Sequence, residues 1–245
     1  YHGSGDIAFG DNPKANSRMG SRQAEQVLYP CYNPLFEKGQ GESEGDYVAR
    51  LEKRFRDVIE STGTKNISGI LIEPVSGSSR VAQPPSGEYM EMILRVCREN
   101  DILVVADEVM CGLGRIGGST LWASEKFNIN PDIVVIGKSL GGGSLPIAAT
   151  LIGEKVAKTI RSAGEHYLHS HTYSGFALGS KAATQALEEF SAIAQSGHVD
   201  KVARHFNDTL RKSLVSTANI HVHGEGLMVG GYLLDSVESP TRYDS

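Results

Sequence analysis

Long apolar runs are missing from this chain. No stretch approaches the roughly 20 residues that a bilayer-spanning helix needs, so membrane insertion by such a helix is not expected. Basic clusters are missing too. The 24 Lys and Arg are outnumbered by 29 Asp and Glu, for a net charge of −5, which argues against nucleic acid or an anionic membrane as partner. Cysteine is scarce: Cys31, Cys97 and Cys111 are odd in number, far apart and without a C-x-x-C pair. That argues against a disulfide framework and a structural zinc site, and for a reducing compartment. With no secretory or transit peptide visible, the expected location is cytoplasmic. Internal repeats and low-complexity tracts are also lacking. The chain opens directly on Tyr1 and closes on a polar tail, residues 239–245, so it reads as a piece of something longer.

What is present is a set of three short apolar runs, each ending in a chemically loaded residue. Residues 67–72 lead into Glu73, residues 102–106 into Asp107, and residues 133–137 into Lys138. Short runs rich in β-branched residues, without polar alternation, read as strands of a parallel sheet covered on both faces. Asp107 and Lys138 lie about 30 residues apart, enough for a strand-crossover-strand unit and too far for a hairpin. Parallel strands share one C-terminal edge, where open α/β sheets bind ligands. A glutamate, an aspartate and a lysine would therefore meet there.

The rest of the chain supplies the crossovers. Residues 1–45 are rich in Gly, Asn, Pro and Ser and read mostly as loop. Residues 46–62 form an amphipathic helix with Val48, Leu51, Phe55, Val58 and Ile59 on one side. A second covers 86–100, with Ser86 as N-cap after Pro84-Pro85 and Tyr89, Met90, Ile93, Leu94 and Cys97 on one face. Residues 147–152 suit a further strand. Residues 175–195 read as a helix turning Ala177, Leu178, Ala182, Ala186, Leu187 and Phe190 inward, and Val199, Val202, Phe206, Leu210 and Leu214 mark another. Two short strands around Gly224-Glu225-Gly226 close the pattern.

Several motifs have blander readings. Gly137-Lys138-Ser139 ends like a P-loop, but the earlier glycine that motif requires would fall at Asp132. Gly112-Leu113-Gly114-Arg115-Ile116-Gly117 matches the dinucleotide fingerprint G-x-G-x-x-G, yet no helix starts at Gly117 and Asp132 opens a strand instead of closing one. The pairs His169-x-His171 and His221-x-His223 lack carboxylate or thiol partners, so no metal site is assigned. Cys111 has no base to activate it. Asp107 and Lys138 remain. A lysine at a buried strand end is uncommon, because burial disfavours the ammonium. Such a lysine can condense with an aldehyde, and a carboxylate on the next strand suits a protonated pyridine nitrogen. On these two residues alone, a simple ion pair at the sheet edge is the better explanation.

The surrounding residues tip that balance. Val105 through Gly117, then Pro131-Asp132-Ile133 running to Lys138-Ser139-Leu140-Gly141-Gly142-Gly143, resembles the class III aminotransferases. Four further matches fall in the same order as in that family: Tyr1-His2-Gly3, Glu73-Pro74-Val75, His171-Thr172-Tyr173-Ser174-Gly175, and Gly224-Glu225-Gly226-Leu227-Met228. The resemblance implies pyridoxal 5′-phosphate as cofactor. Lys138 would be its Schiff-base lysine, and Asp107 the partner of its pyridine nitrogen. Val109 would pack on one ring face. Tyr1, with His2 and Gly3 beside it in the cofactor site, would stack on the other. Thr172 would reach the cofactor phosphate across a homodimer interface, and Glu73 would lie near the substrate. Met110 stands where many members carry a glutamine that meets the ring oxygen, and methionine cannot donate that hydrogen bond.

The resemblance thus implies an α/β chain of PLP-dependent transferase fold type I. A mainly parallel sheet would be covered by helices on both faces, with residues 1–195 as an incomplete large domain and 196–245 as the start of a smaller C-terminal α+β domain. The implied activity moves an amino group from an amine or amino acid donor to a 2-oxo acid or aldehyde. The family's phosphate-binding turn and most of its small domain are not in this sequence. One alternative is therefore a truncated or non-catalytic paralogue. The other is an NAD(P)-dependent oxidoreductase using Gly112 to Gly117.

Overall fold

A computed structural model describes residues 27–162, 172–214 and 220–234. In chain order its elements are α1 (Pro34–Glu37), α2 (Glu44–Thr62), β1 (Gly69–Ile72), α3 (Gly87–Glu99), β2 (Leu103–Asp107), α4 (Ala123–Lys126), β3 (Ile133–Ile136), β4 (Ala149–Ile152), α5 (Glu154–Ser162), α6 (Ala177–Gln195), α7 (His198–Leu214), β5 (Ile220–Glu225) and β6 (Met228–Leu233). Short 3-10 turns cover Thr64–Asn66, Ser78–Arg80 and Lys138–Gly141.

β1, β2 and β3 lie side by side and parallel, with Ile72 opposite Ala106 and Asp107 opposite Val135. β4 joins β3 antiparallel, so the fourth strand does not bring its C-terminal end to the shared edge. β5 and β6 form a separate antiparallel hairpin.

Two helices begin on serine caps. The Ser43 hydroxyl accepts from Asp46 N at 3.1 Å and the Ser86 hydroxyl from Tyr89 N at 3.2 Å, each satisfying an amide that helix geometry leaves free. The faces they bury follow from the 3.6-residue period: Tyr47, Val48, Leu51, Phe55 and Ile59 on α2; Tyr89, Met90, Ile93, Leu94 and Cys97 on α3. These side chains close over Ile70, Ile72, Ile102 and Val104 as one core. Fully burying each Leu, Ile or Phe contributes about 1.5–3 kcal/mol. The exposed ring of Glu52, Arg56, Arg95 and Glu99 across α2 and α3 adds little by comparison. A second cluster joins Leu113, Ile136, Leu140 and Ala183, so α6 packs on β3 and the turn after it.

Among the described residues β1 buries Ile70 and Ile72 and leaves Gly69 and Leu71 exposed. One expectation is corrected. On α6 Ala186 is buried and Leu187 and Phe190 pack against the core as expected, together with the buried Gly179, Ala183 and Ala194, whereas Ala177 is exposed and Leu178 is 62% exposed. The helix runs close to the turn after β3: a methyl on Gly142 would sit 3.5 Å from Ala186 Cβ. Close approach selects small residues over leucine.

Candidate active site

Glu73 follows the last residue of β1, Asp107 is the last residue of β2, and Lys138 comes two residues after β3. Parallel pairing therefore carries all three to one edge of the sheet. Past a strand end the backbone has no ladder to hold it, and each residue has its own local anchor. Asp107 Oδ1 accepts from Val109 N at 3.0 Å, which fixes the carboxylate beside the chain that leaves the sheet. Val109 in turn touches β3's exit: a methyl on Gly137 would lie 3.7 and 3.8 Å from the two Val109 methyl carbons. Glu73 Oε2 accepts from Gly77 N at 2.5 Å. Desolvation raises the Glu73 carboxyl above its ordinary range; the Gly77 bond opposes this, the Asp107 charge adds to it, and the Lys138 and Arg80 charges oppose it. The carboxyl thus feels both other members of the trio. Met110 Sδ lies over Gly77, so a side chain there would have to displace it.

Lys138 differs from the expectation of a buried amine, because the residue is exposed. Gly137 is extended and buried, and at Lys138 the backbone turns into the left-handed region, φ 44°. Leu140 N then donates to Gly137 O at 3.0 Å and Leu140 is buried, closing the 3-10 turn. The chain leaves the sheet one residue before the lysine, so the apolar run ends short of it.

One residue of the site's frame escaped sequence reasoning. Glu108 is 1% exposed. Its carboxylate accepts from Ala123 N at 2.7 Å, Ser124 N at 2.9 Å and the Ser124 hydroxyl at 2.5 Å, while its own amide donates to Val135 O at 2.9 Å. It ties the residue after Asp107 to the start of α4 and to β3. Gly112 serves the same packing, since a Cβ there would come within 2.8 Å of both the carbonyl and Oε2 of Glu108.

The rival motifs are engaged elsewhere. In the glycine-rich loop, Gly118 N donates to Asp200 Oδ1 at 2.7 Å, Leu227 N donates to Arg115 O at 3.0 Å and the Lys126 ammonium donates to Ile116 O at 2.7 Å. Its backbone is thus held by α7, β5–β6 and α4, and no helix begins at Gly117. Burial pushes the Cys111 thiol up to about 12, far from a nucleophilic thiolate. Among the described residues no three His, Cys, Asp or Glu groups come together as a metal site. Thr172 is exposed, in the turn that leads to α6. Tyr1, His2, Gly3, His169 and His171 lie outside the described residues.

At this edge a primary amine, a carboxylate on the neighbouring strand and a branched apolar side chain stand together. That donor set fits an aldehyde-bearing, electron-withdrawing pyridine such as pyridoxal phosphate.

Comparison with known proteins gives the same direction. The family model Aminotransferase class-III matches residues 1–241. Vanillin aminotransferase of Capsicum frutescens is 32% identical over 209 residues, covering 83% of this chain and 45% of that protein. Gamma aminobutyrate transaminase 2 of Solanum lycopersicum is 34% identical over 199 residues, 80% of this chain and 43% of that one. Among solved structures, an (S)-enantioselective omega-transaminase from Thermomicrobium roseum superposes with a TM-score of 0.86 at 26% identity, covering 100% of this chain and 54% of the other. The PMP-bound form of an aminotransferase from Vibrio fluvialis gives 0.83 at 28% identity, 98% and 53%. The chain thus spans about half the length of the relatives it matches.

Proposed function

Because this chain belongs to the class III aminotransferase family, we propose that it carries the cofactor edge of a pyridoxal 5′-phosphate-dependent aminotransferase. Its substrates would be an amine or amino acid donor and a 2-oxo acid or aldehyde acceptor. The observation that carries this reading is the meeting of Asp107 and Lys138 at one edge of the parallel sheet. When bound, the cofactor supplies an electron sink conjugated to the substrate carbon that exchanges its proton.

The chain's own residues do the rest. Lys138 Nζ would hold the cofactor and would take the proton from the substrate carbon and return it. Its exposed position past the strand end gives it the reach for both tasks. Asp107, oriented by the Val109 amide, would keep the pyridine nitrogen protonated. Val109 would pack on one ring face; Tyr1, His2 and Gly3, which the resemblance assigns to the cofactor site, lie outside the described residues. Glu73 faces the substrate beside Met110. The exposed turn at Thr172 supports a homodimer in which that hydroxyl reaches the partner's cofactor phosphate. We place residues 1–195 in the large domain and 196–245 at the start of the small one. The separate β5–β6 sheet supports that boundary.

The test is to incubate the chain with pyridoxal phosphate, reduce with borohydride and map the modified lysine by mass spectrometry. Modification at Lys138, weakened in Asp107→Ala and abolished in Lys138→Ala, is the expected result. Scattered labelling, or labelling that Asp107→Ala leaves untouched, would overturn the assignment.

A further inference from the structure

The loop between β1 and α3 holds two adjacent residues, Val81 and Ala82, with φ of 52° and 62°. Neither is glycine and one is β-branched, so this backbone persists only where its surroundings impose it. The surroundings are the β5–β6 hairpin. His223, on β5, is 8% exposed and its Nε2 lies 2.6 Å from Val81 O. A carbonyl can only accept, so Nε2–H donates. Gly230, the residue paired with His223 across the hairpin, backs directly onto Val81 O and has no room for a Cβ. The rings of His221 and Tyr232 flank His223 at 5.5 and 5.4 Å.

From Val81 a short chain of bonds leads to the site. Ala82 N donates to Gly77 O at 3.0 Å, and Gly77 N donates to Glu73 Oε2. Ala82 N thus holds the peptide after Gly77 and Glu73 holds the peptide before it, so the two bonds meet at the Gly77 Cα and the strained pair at 81–82 fixes the residue whose amide anchors Glu73. We infer that His223 is a positioning residue, through which the C-terminal hairpin holds the 74–83 loop and so fixes Glu73 at the sheet edge. The importance of Glu73 to turnover rests on the aminotransferase reading; the clamp does not.

The experiment uses the cofactor-free chain, so its outcome is separate from cofactor capture. His223→Phe keeps an aromatic ring and removes the donor. His223→Gln keeps a donor at nearly the position of Nε2. Hydrogen exchange at the Gly77 amide and the titration of the Glu73 carboxyl followed by NMR are compared in the parent and both variants. Loss of one hydrogen bond predicts exchange about tenfold faster in His223→Phe, with the Glu73 midpoint displaced upward and both quantities restored in His223→Gln. Should His223→Phe not fold, parental values in His223→Gln still support the clamp. Unchanged exchange in a folded His223→Phe, or a loss in His223→Gln equal to that in His223→Phe, would overturn it. If these results hold while borohydride fails to trap cofactor on Lys138, the functional reading fails and the clamp stands.

Discussion

Replacing Glu108 by alanine removes the acceptor that holds the start of α4 against the exit of β2. Ala123 and Ser124 are buried, so their amides, now 2.7 and 2.9 Å from the carboxylate, would have no acceptor. Each buried unpaired donor costs about 1–3 kcal/mol. The Ser124 hydroxyl can rotate to another acceptor, so two amides set the scale, about 2–6 kcal/mol. For a chain of this size that lowers the melting midpoint by roughly 4–24 °C. Glu108→Gln should lie between the parent and alanine. One carboxamide oxygen can still accept both Ser124 bonds, but the NH2 end faces the Ala123 amide and orphans it, at about 1–3 kcal/mol. Gly112→Ala strikes the same cluster from the other side, so its effect combined with Glu108→Ala should be less than additive. The assay is urea denaturation followed by the fluorescence of Trp122, the only tryptophan in the sequence and the residue just before α4. A Glu108→Gln variant as stable as the parent would refute the reasoning, as would a Glu108→Ala variant losing less than about 1 kcal/mol.

Two further outcomes follow from particular backbones and rings. His221 and His223 are both held below the ordinary histidine value of 6.5 by burial; the charges of His223 and Arg211 add to this at His221, whereas acceptor carbonyls at Val81 and Arg80 oppose it at His223. The unfolded chain then binds more protons than the folded one below about pH 6.5, so stability is level above that pH and falls as pH drops through the lowered folded values. Denaturation midpoints between pH 8 and 5.5 should show this fall in the parent and lose it in His221→Asn/His223→Gln. Parallel curves would contradict it. At Lys138 the left-handed backbone disfavours any residue with a Cβ, so Lys138→Gly should exceed Lys138→Ala in stability by about 1 kcal/mol, measured in urea. Equal stabilities would mean that the turn stores no strain.

Much of this fold was legible because local chemistry dictates it. The three apolar runs became β1, β2 and β3 within a residue or two, and Ser86 caps α3 as its position before Tyr89 requires. The shared edge bearing Glu73, Asp107 and Lys138 followed from strand direction alone. The direction of β4 did not: residues 147–152 are apolar enough for a strand, but the reversal happens in the turns at Gly142 and Gly143, whose positive φ does not specify where the chain goes next. Leu178 was misplaced because α6 carries apolar residues on more than one side, and packing distance, not periodicity, decides which face turns inward. Glu108 was passed over because an Asp-Glu pair after a strand looks like two site acids or two solvated ones. The available signal was Gly112, four residues on, which leaves the room that a buried carboxylate needs.

The anchors sort by range, and range explains what could be read. Val109 N to Asp107, Gly77 N to Glu73 and Leu140 N to Gly137 each span four residues or fewer. They lie within or beside the short motifs that carry the family resemblance. The clamps that hold the loops themselves are distant: Glu108 to Ala123 and Ser124, Asp200 to Gly118, His223 to Val81. Closing a long loop costs only slightly more than closing a short one, so nothing in the local sequence marks where such a partner will come from. The hairpin and α7 therefore belong to the frame of the edge, holding loop residues 142 and 82 positions earlier in the chain. Both loops that follow β1 and β2 end on that frame. The strands bring the amine and the two carboxylates together, and the C-terminal segment decides whether the loops beside them stay in place.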